Sequence, residues 1–115
     1  VDAEAKLLPF GEAEVGATGL ELLLPLTLKW ALEMRLPLST AIAKITVEPS
    51  KILGVDTGHL SPATAADLCI FDPNQYWKVE PAALKSQGKN TPFLGMELQG
   101  RVKYTLVDGS IVYER

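Results

Sequence analysis

With 115 residues, 47% hydrophobic and 22% charged, the chain has ordinary globular composition and room for no more than a small core of its own. Its net charge of −3, with eleven Lys and Arg scattered singly, argues against a nucleic-acid or anionic-membrane partner. The single cysteine, Cys69, excludes an intramolecular disulfide and suits a reducing, cytoplasmic setting.

From Val1 to Ala17 there is no regular period, and Pro9, Gly11 and Gly16 give the stretch loop character. Val1-Asp2-Ala3-Glu4-Ala5-Lys6 has no basic region leading into an apolar one, so it is not a signal peptide, and the sequence reads as a fragment starting within a longer protein. Thr18-Gly19-Leu20-Glu21 fits a capping box, with Thr18 and Glu21 each bonding the other's backbone amide. The helix that follows should run to about Arg35. It is apolar on most sides and needs cover on more than one face, yet Glu21, Pro25 and Lys29 make Leu20 to Leu32 too polar and too short to span a bilayer.

Pro37 opens a second helical stretch, Leu38 to Ile45, and Glu48 to Gly54 gives a third with an early proline and a terminal glycine. Beyond Gly54 the character changes. Short β-type runs follow at Leu68 to Phe71, Tyr76 to Val79, Arg101 to Val107 and Ser110 to Tyr113, punctuated by Gly58, Pro62, Pro73 and Gly88. Asp108-Gly109 between the last two is a favoured hairpin turn, since both positions call for positive φ. Helices first and strands second predict the end of an α/β domain followed by strands of a separate sheet.

No motif in the chain carries chemistry alone. The lone histidine, His59, reads as a solvent-exposed loop residue. A triad of Ser61, His59 and Asp56 or Asp67 has no support in the spacing. Glu4, Glu12 and Glu14 read as a solvated loop face rather than an acid–base pair, and the early glycines form no phosphate cradle. Trp30 and Trp77 read as core aromatics. Cys69, within Ala66-Asp67-Leu68-Cys69-Ile70-Phe71, reads as a buried structural thiol.

Several short motifs, in order, resemble the C-terminal portion of zinc-dependent dihydroorotases of the amidohydrolase superfamily. Leu8-Pro9-Phe10-Gly11-Glu12-Ala13-Glu14-Val15-Gly16-Ala17-Thr18-Gly19-Leu20-Glu21 looks like the loop after the last barrel strand, running into the final helix. Pro49-Ser50-Lys51-Ile52-Leu53-Gly54 is similar to that family's Asn-Pro-Ala-Arg-Ile-Leu-Gly. Gly58-His59-Leu60-Ser61-Pro62 through Ala66-Asp67-Leu68 matches a strand shared across the superfamily. Lys89-Asn90-Thr91-Pro92-Phe93-Leu94-Gly95 and the hairpin Gly100-Arg101-Val102 through Tyr113 complete the set, and the Lys-Asn-Thr-Pro-Phe loop together with the Pro9-Phe10-Gly11-Glu12-Ala13 loop narrows the resemblance to dihydroorotase.

The resemblance implies an α/β fold in two parts. Residues 1–54 would supply the last loop and closing helices of a (β/α)8 TIM barrel, and residues 55–115 strands of the flanking small β-sandwich, ending in a β-hairpin. In such barrels the chemistry sits at the C-terminal ends of the strands. The family's zinc ligands and proton-shuttling aspartate match no residue here, and the aspartate is expected just upstream of Val1, so the implied catalytic and metal residues lie outside the chain. The substrate loop is what these residues would contribute. Gly16 aligns with a glycine whose amide faces dihydroorotate, Val15 stands beside it, and Val1 falls where many members carry a histidine that contacts the substrate carboxylate.

The implied activity of the intact protein is interconversion of N-carbamoyl-L-aspartate and L-dihydroorotate in pyrimidine synthesis. The implied partners are the small-molecule substrate, the remainder of the polypeptide, and a second copy or aspartate carbamoyltransferase. The valine at position 1 supports an alternative, a catalytically silent dihydroorotase-like subunit that holds the transferase in an assembly. A free-standing binding module is disfavoured by the apolar helix, which alone would expose a large patch.

Overall fold

A computed structural model describes residues 4–115. A 3-10 turn over Leu20–Leu22 leads into helix α1, Leu23–Glu33. Pro25 stands third in α1, where its missing N–H costs no helical hydrogen bond, so the proline is accommodated. Leu22, Pro25, Leu28 and Ala31 are buried at intervals of three residues and form one packed stripe. Leu24 and Leu26 are half-buried, whereas Leu20, Leu32 and Trp30 are left 86%, 65% and 39% exposed. Cover comes from the sheet and from the helix that follows, an outward face stays open, and Trp30 is not a core aromatic.

The helix stops short of its expected end because Arg35 turns left-handed at φ 55°, letting the Leu36 amide donate back to the Ala31 carbonyl at 2.8 Å. Helix α2, Leu38–Ala43, follows Pro37, and α3, Val47–Leu53, ends on Gly54 at φ 70° as its terminal glycine predicts. Gly58 then lies so close to the start of α3 that a Cβ would stand 2.7 Å from the Thr46 carbonyl carbon. Beside it, Ser50 Oγ links the Thr46 carbonyl, at 3.0 Å, to Thr57 Oγ1, at 2.7 Å.

The β half forms one antiparallel sheet in the order β1-β2-β3, with β1 Leu68–Lys78, β2 Glu97–Val107 and β3 Ser110–Glu114. Two runs read separately from the sequence are one strand, β1, with Pro73 inside it. Pairing passes from Asp72 opposite Arg101 to Tyr76 opposite Gln99, so β1 gains residues on its partner there. The irregularity houses a proline that cannot donate to a ladder, and Asp72 Oδ1 accepts the Asn74 amide at 2.9 Å. The hairpin turn forms as read, with Asp108 at φ 49° and Gly109 at φ 79°. It is anchored to the approach of β1, where Asp67 Oδ1 accepts the Asp108 amide at 2.8 Å and the Ala66 carbonyl that of Gly109 at 3.1 Å.

Helix and sheet share a core of Leu22, Val79, Leu84 and Leu98, against which Leu26, Trp77 and Phe93 pack. α1 lies on β2 at Gly100, φ 107°, where an added Cβ would be 2.4 Å from Leu28 Cδ1. Cys69 lies on the outer strand β1 and is exposed, not the buried thiol its apolar run suggested, since α1 packs on β2 instead.

Candidate functional site

The candidate substrate loop leaves Val15 and Gly16 exposed, Val15 by 90%, and Gly16 adopts φ 100°, a conformation that favours glycine. Position 1, the other residue set at the substrate by the resemblance, lies outside the described residues. Glu4, Glu12 and Glu14 are exposed. The loop is folded by its own backbone. Pro9 O accepts the amides of Glu12 and Ala13 at 2.8 and 3.0 Å, Ala5 O accepts that of Glu14 at 3.3 Å, and Lys6 Nζ donates to the Glu14 carbonyl.

Where the loop enters the helix, it is held by residues far away in sequence. The Thr18 amide donates to the Asn90 carbonyl at 2.6 Å. The Glu21 carboxylate accepts the Lys85 amide at 2.9 Å, the Ser86 amide at 2.7 Å and the Ser86 hydroxyl at 2.8 Å. This corrects the capping box: Gly19 stands at the cap position, no side chain caps the turn, and Glu21 serves another loop. Local pattern could not reveal it, because a glutamate three residues after a threonine suits both arrangements. Burial alone would raise the Glu21 pKa, but the donors of Lys85 and Ser86, with the Lys89 charge, outweigh it and hold the carboxyl below its ordinary 4.5. Lys89 Nζ in turn donates to the Leu84 carbonyl at 2.6 Å, and buried Thr91 presents Oγ1 to the Phe93 amide at 3.2 Å. Two motifs read apart in the sequence, the Gly16 loop and the Lys89-Asn90-Thr91 loop, are thus one hydrogen-bonded unit.

His59 does not build a triad. Its Nε2 meets Asp56 Oδ1 at 2.7 Å, while Ser61 presents its backbone amide to Nδ1 at 3.3 Å, and Asp67 is committed to the hairpin. The Cys69 pKa is raised by desolvation, which disfavours a thiolate nucleophile. Among the described residues, no three His, Cys, Asp or Glu side chains converge on a metal position, and no helix is long and apolar enough to cross a membrane. A groove of about 470 Å³ opens between the start of α1 and the sheet, lined among others by Leu20, Glu21, Trp77 and Arg101. In it the Arg101 guanidinium stacks 4.2 Å from the Trp77 ring centroid, and Trp77 Nε1 donates to the Gly100 carbonyl at 2.8 Å.

The helix-and-sheet arrangement matches part of two hydantoinases of known structure. The D-hydantoinase from Thermus sp. superposes with a TM-score of 0.87 over 99% of the chain and 26% of its own, at 22% identity, a likeness of fold. The L-hydantoinase from Arthrobacter aurescens gives 0.79 over 90% of the chain and 24% of its own, at 34% identity. The sequence profile of the amidohydrolase family matches residues 29–113, and the chain belongs to that family. It is 42% identical over 111 residues to a dihydroorotase of Geobacter sp. (strain M21), covering 96% of the chain and 26% of that protein. A dihydroorotase-like protein of Pseudomonas aeruginosa is equally similar, 42% over 113 residues, covering 98% and 26%. The chain therefore spans about a quarter of the length of the curated relatives it matches.

Proposed function

We propose that these residues are part of a dihydroorotase, which interconverts N-carbamoyl-L-aspartate and L-dihydroorotate by opening and closing a cyclic amide. The observation that carries the reading is 42% identity to a dihydroorotase across 96% of the chain, including the loop around Gly16. In this reading residues 1–54 close a (β/α)8 barrel, residues 55–115 belong to a small β-sandwich beside it, and the protein works in the cytoplasm on pyrimidine synthesis. Zinc ions belong to the intact protein and are held by residues outside these 115.

The role left to this chain is binding and orientation. Gly16 offers a backbone amide to the substrate without a side chain to block approach, Val15 stands exposed beside it, and the loop is held from behind through Thr18 and Glu21. The test is hydrolysis of L-dihydroorotate by the full-length, zinc-loaded protein, followed by loss of ring absorbance. Turnover is the expected result, with Gly16→Ala raising KM. Absence of turnover in folded, metal-replete protein would overturn the reading.

One observation favours a second reading. The equal similarity to a protein described only as dihydroorotase-like, with valine in place of histidine at position 1, fits a silent subunit that supports aspartate carbamoyltransferase. Co-purification with the transferase, together with no turnover, is the outcome that would favour it.

A further inference from the structure

Arg101 is only 7% exposed. Its guanidinium lies on the Trp77 ring, yet a ring face satisfies none of the five N–H donors, which radiate in the guanidinium plane. Among the described residues no carboxylate stands within ion-pair distance of it, and no acceptor takes its donors. The two carboxylates that could do so are engaged elsewhere. Asp72, opposite Arg101 in the β1–β2 register, accepts the Asn74 amide. Glu21, on the same groove, is filled by Lys85 and Ser86. Lys85 and Arg115 add positive charge to the groove, while Leu20 and Val112, 86% and 61% exposed, give it an apolar rim.

No buried side-chain nitrogen among the described residues lacks a partner, so the guanidinium donors still meet water through the groove. Anything that covers the groove strips that water away, which is strongly unfavourable for a cation without a counter-ion, and the planar fork of arginine is shaped for a carboxylate. An apolar rim around such a fork matches a packed segment better than a small, freely diffusing anion. We propose that the Arg101–Trp77 pair receives an aspartate or glutamate carried on an apolar segment of the same polypeptide, outside these 115 residues. The relatives supply the room for one, since the matched region is 26% of their length. The proposal does not depend on the catalytic reading, because a silent subunit would seat the same segment.

The experiment uses the full-length protein. Arg101→Lys places an amine at the base of the groove, and zero-length carbodiimide coupling followed by peptide mapping identifies the carboxylate it touches. The expected product joins position 101 to one Asp or Glu outside residues 1–115 within the same chain, as mixing isotope-labelled and unlabelled protein verifies. In the unsubstituted protein, phenylglyoxal should modify Arg101 about tenfold more slowly than exposed Arg35, a ratio corresponding to about 1.4 kcal/mol of protection. Coupling only to carboxylates within the 115 residues, or between chains, would overturn the proposal. So would modification of Arg101 as fast as Arg35, or protection that appears only on adding sodium succinate, which would mark a small-anion site. Slow modification alone does not decide, because Arg101 is already only 7% exposed. Should Arg101→Lys fail to fold, a photo-crosslinking residue at exposed Val112 on the groove rim decides instead. Labelling of a segment outside residues 1–115 of the same chain is expected, and labelling only within them would overturn the proposal.

Discussion

Gly100 sets how closely α1 can approach the sheet. Leu28 is itself buried, so the 2.4 Å clash of an added Cβ cannot be relieved by swinging its tip into solvent, and φ 107° is strained for any L side chain. Gly100→Ala should destabilise the protein by about 1–3 kcal/mol, read from the shift of the urea midpoint at unchanged slope. Ala63 is the converse case. It stands after Pro62 and adopts φ 66°. Ala63→Gly should relieve left-handed strain and raise stability by up to about 1 kcal/mol, after the greater freedom of glycine in the unfolded chain is subtracted. A fall in melting temperature would contradict that account. Neither position was legible in its strained role from sequence: the Gly100 clash depends on Leu28, far away in the chain. The Asp108-Gly109 turn was legible, because its positive φ values are fixed by the dipeptide itself.

Between elements, Glu21 ties the turn that leads into α1 to the loop after β1 through three donors. Because its pKa is lower folded than unfolded, the stability it contributes is fully present above about pH 4.5 and is lost as pH falls through the lower folded value. Glu21→Gln should flatten the acid limb of the stability–pH curve, and Glu21→Ala should cost about 1.5–3 kcal/mol at neutral pH, the range for hydrogen bonds to a charged group. An unchanged acid limb would show that other carboxylates govern it. The helices and strands themselves were readable, because local periodicity and punctuation set them: α3 ends on its glycine, and α1 carries its proline early. The joining of two runs into β1 across Pro73 was not, since only pairing with β2 shows that an irregular stretch can continue a ladder.

At the scale of the molecule, one helical stripe is covered by the sheet while Leu20, Leu32, Ile52, Leu53 and Leu60 remain more than half exposed. A surface of that kind is a contact face waiting for more protein. The 115 residues expressed alone should therefore self-associate and bind a hydrophobic dye, with sedimentation velocity as the check. A clean monomer would count against a missing covering layer. The family was legible because ordered motifs run nearly the whole length of the chain. What the sequence could not show was which motifs touch, and the contact between the Gly16 loop and the Lys89-Asn90-Thr91 loop emerged only in three dimensions.

That contact has a bearing on the order of events during synthesis. The loop around Gly16 leaves the ribosome well before Lys85, Ser86 and Asn90, the residues that anchor Thr18 and Glu21. Chain made up to the end of α3 thus carries the loop with its hinge unfastened, and long-range closure of this kind is slow compared with helix formation. The loop acquires its supported shape late, and a nascent chain stalled before position 84 would carry every residue of that loop without its support.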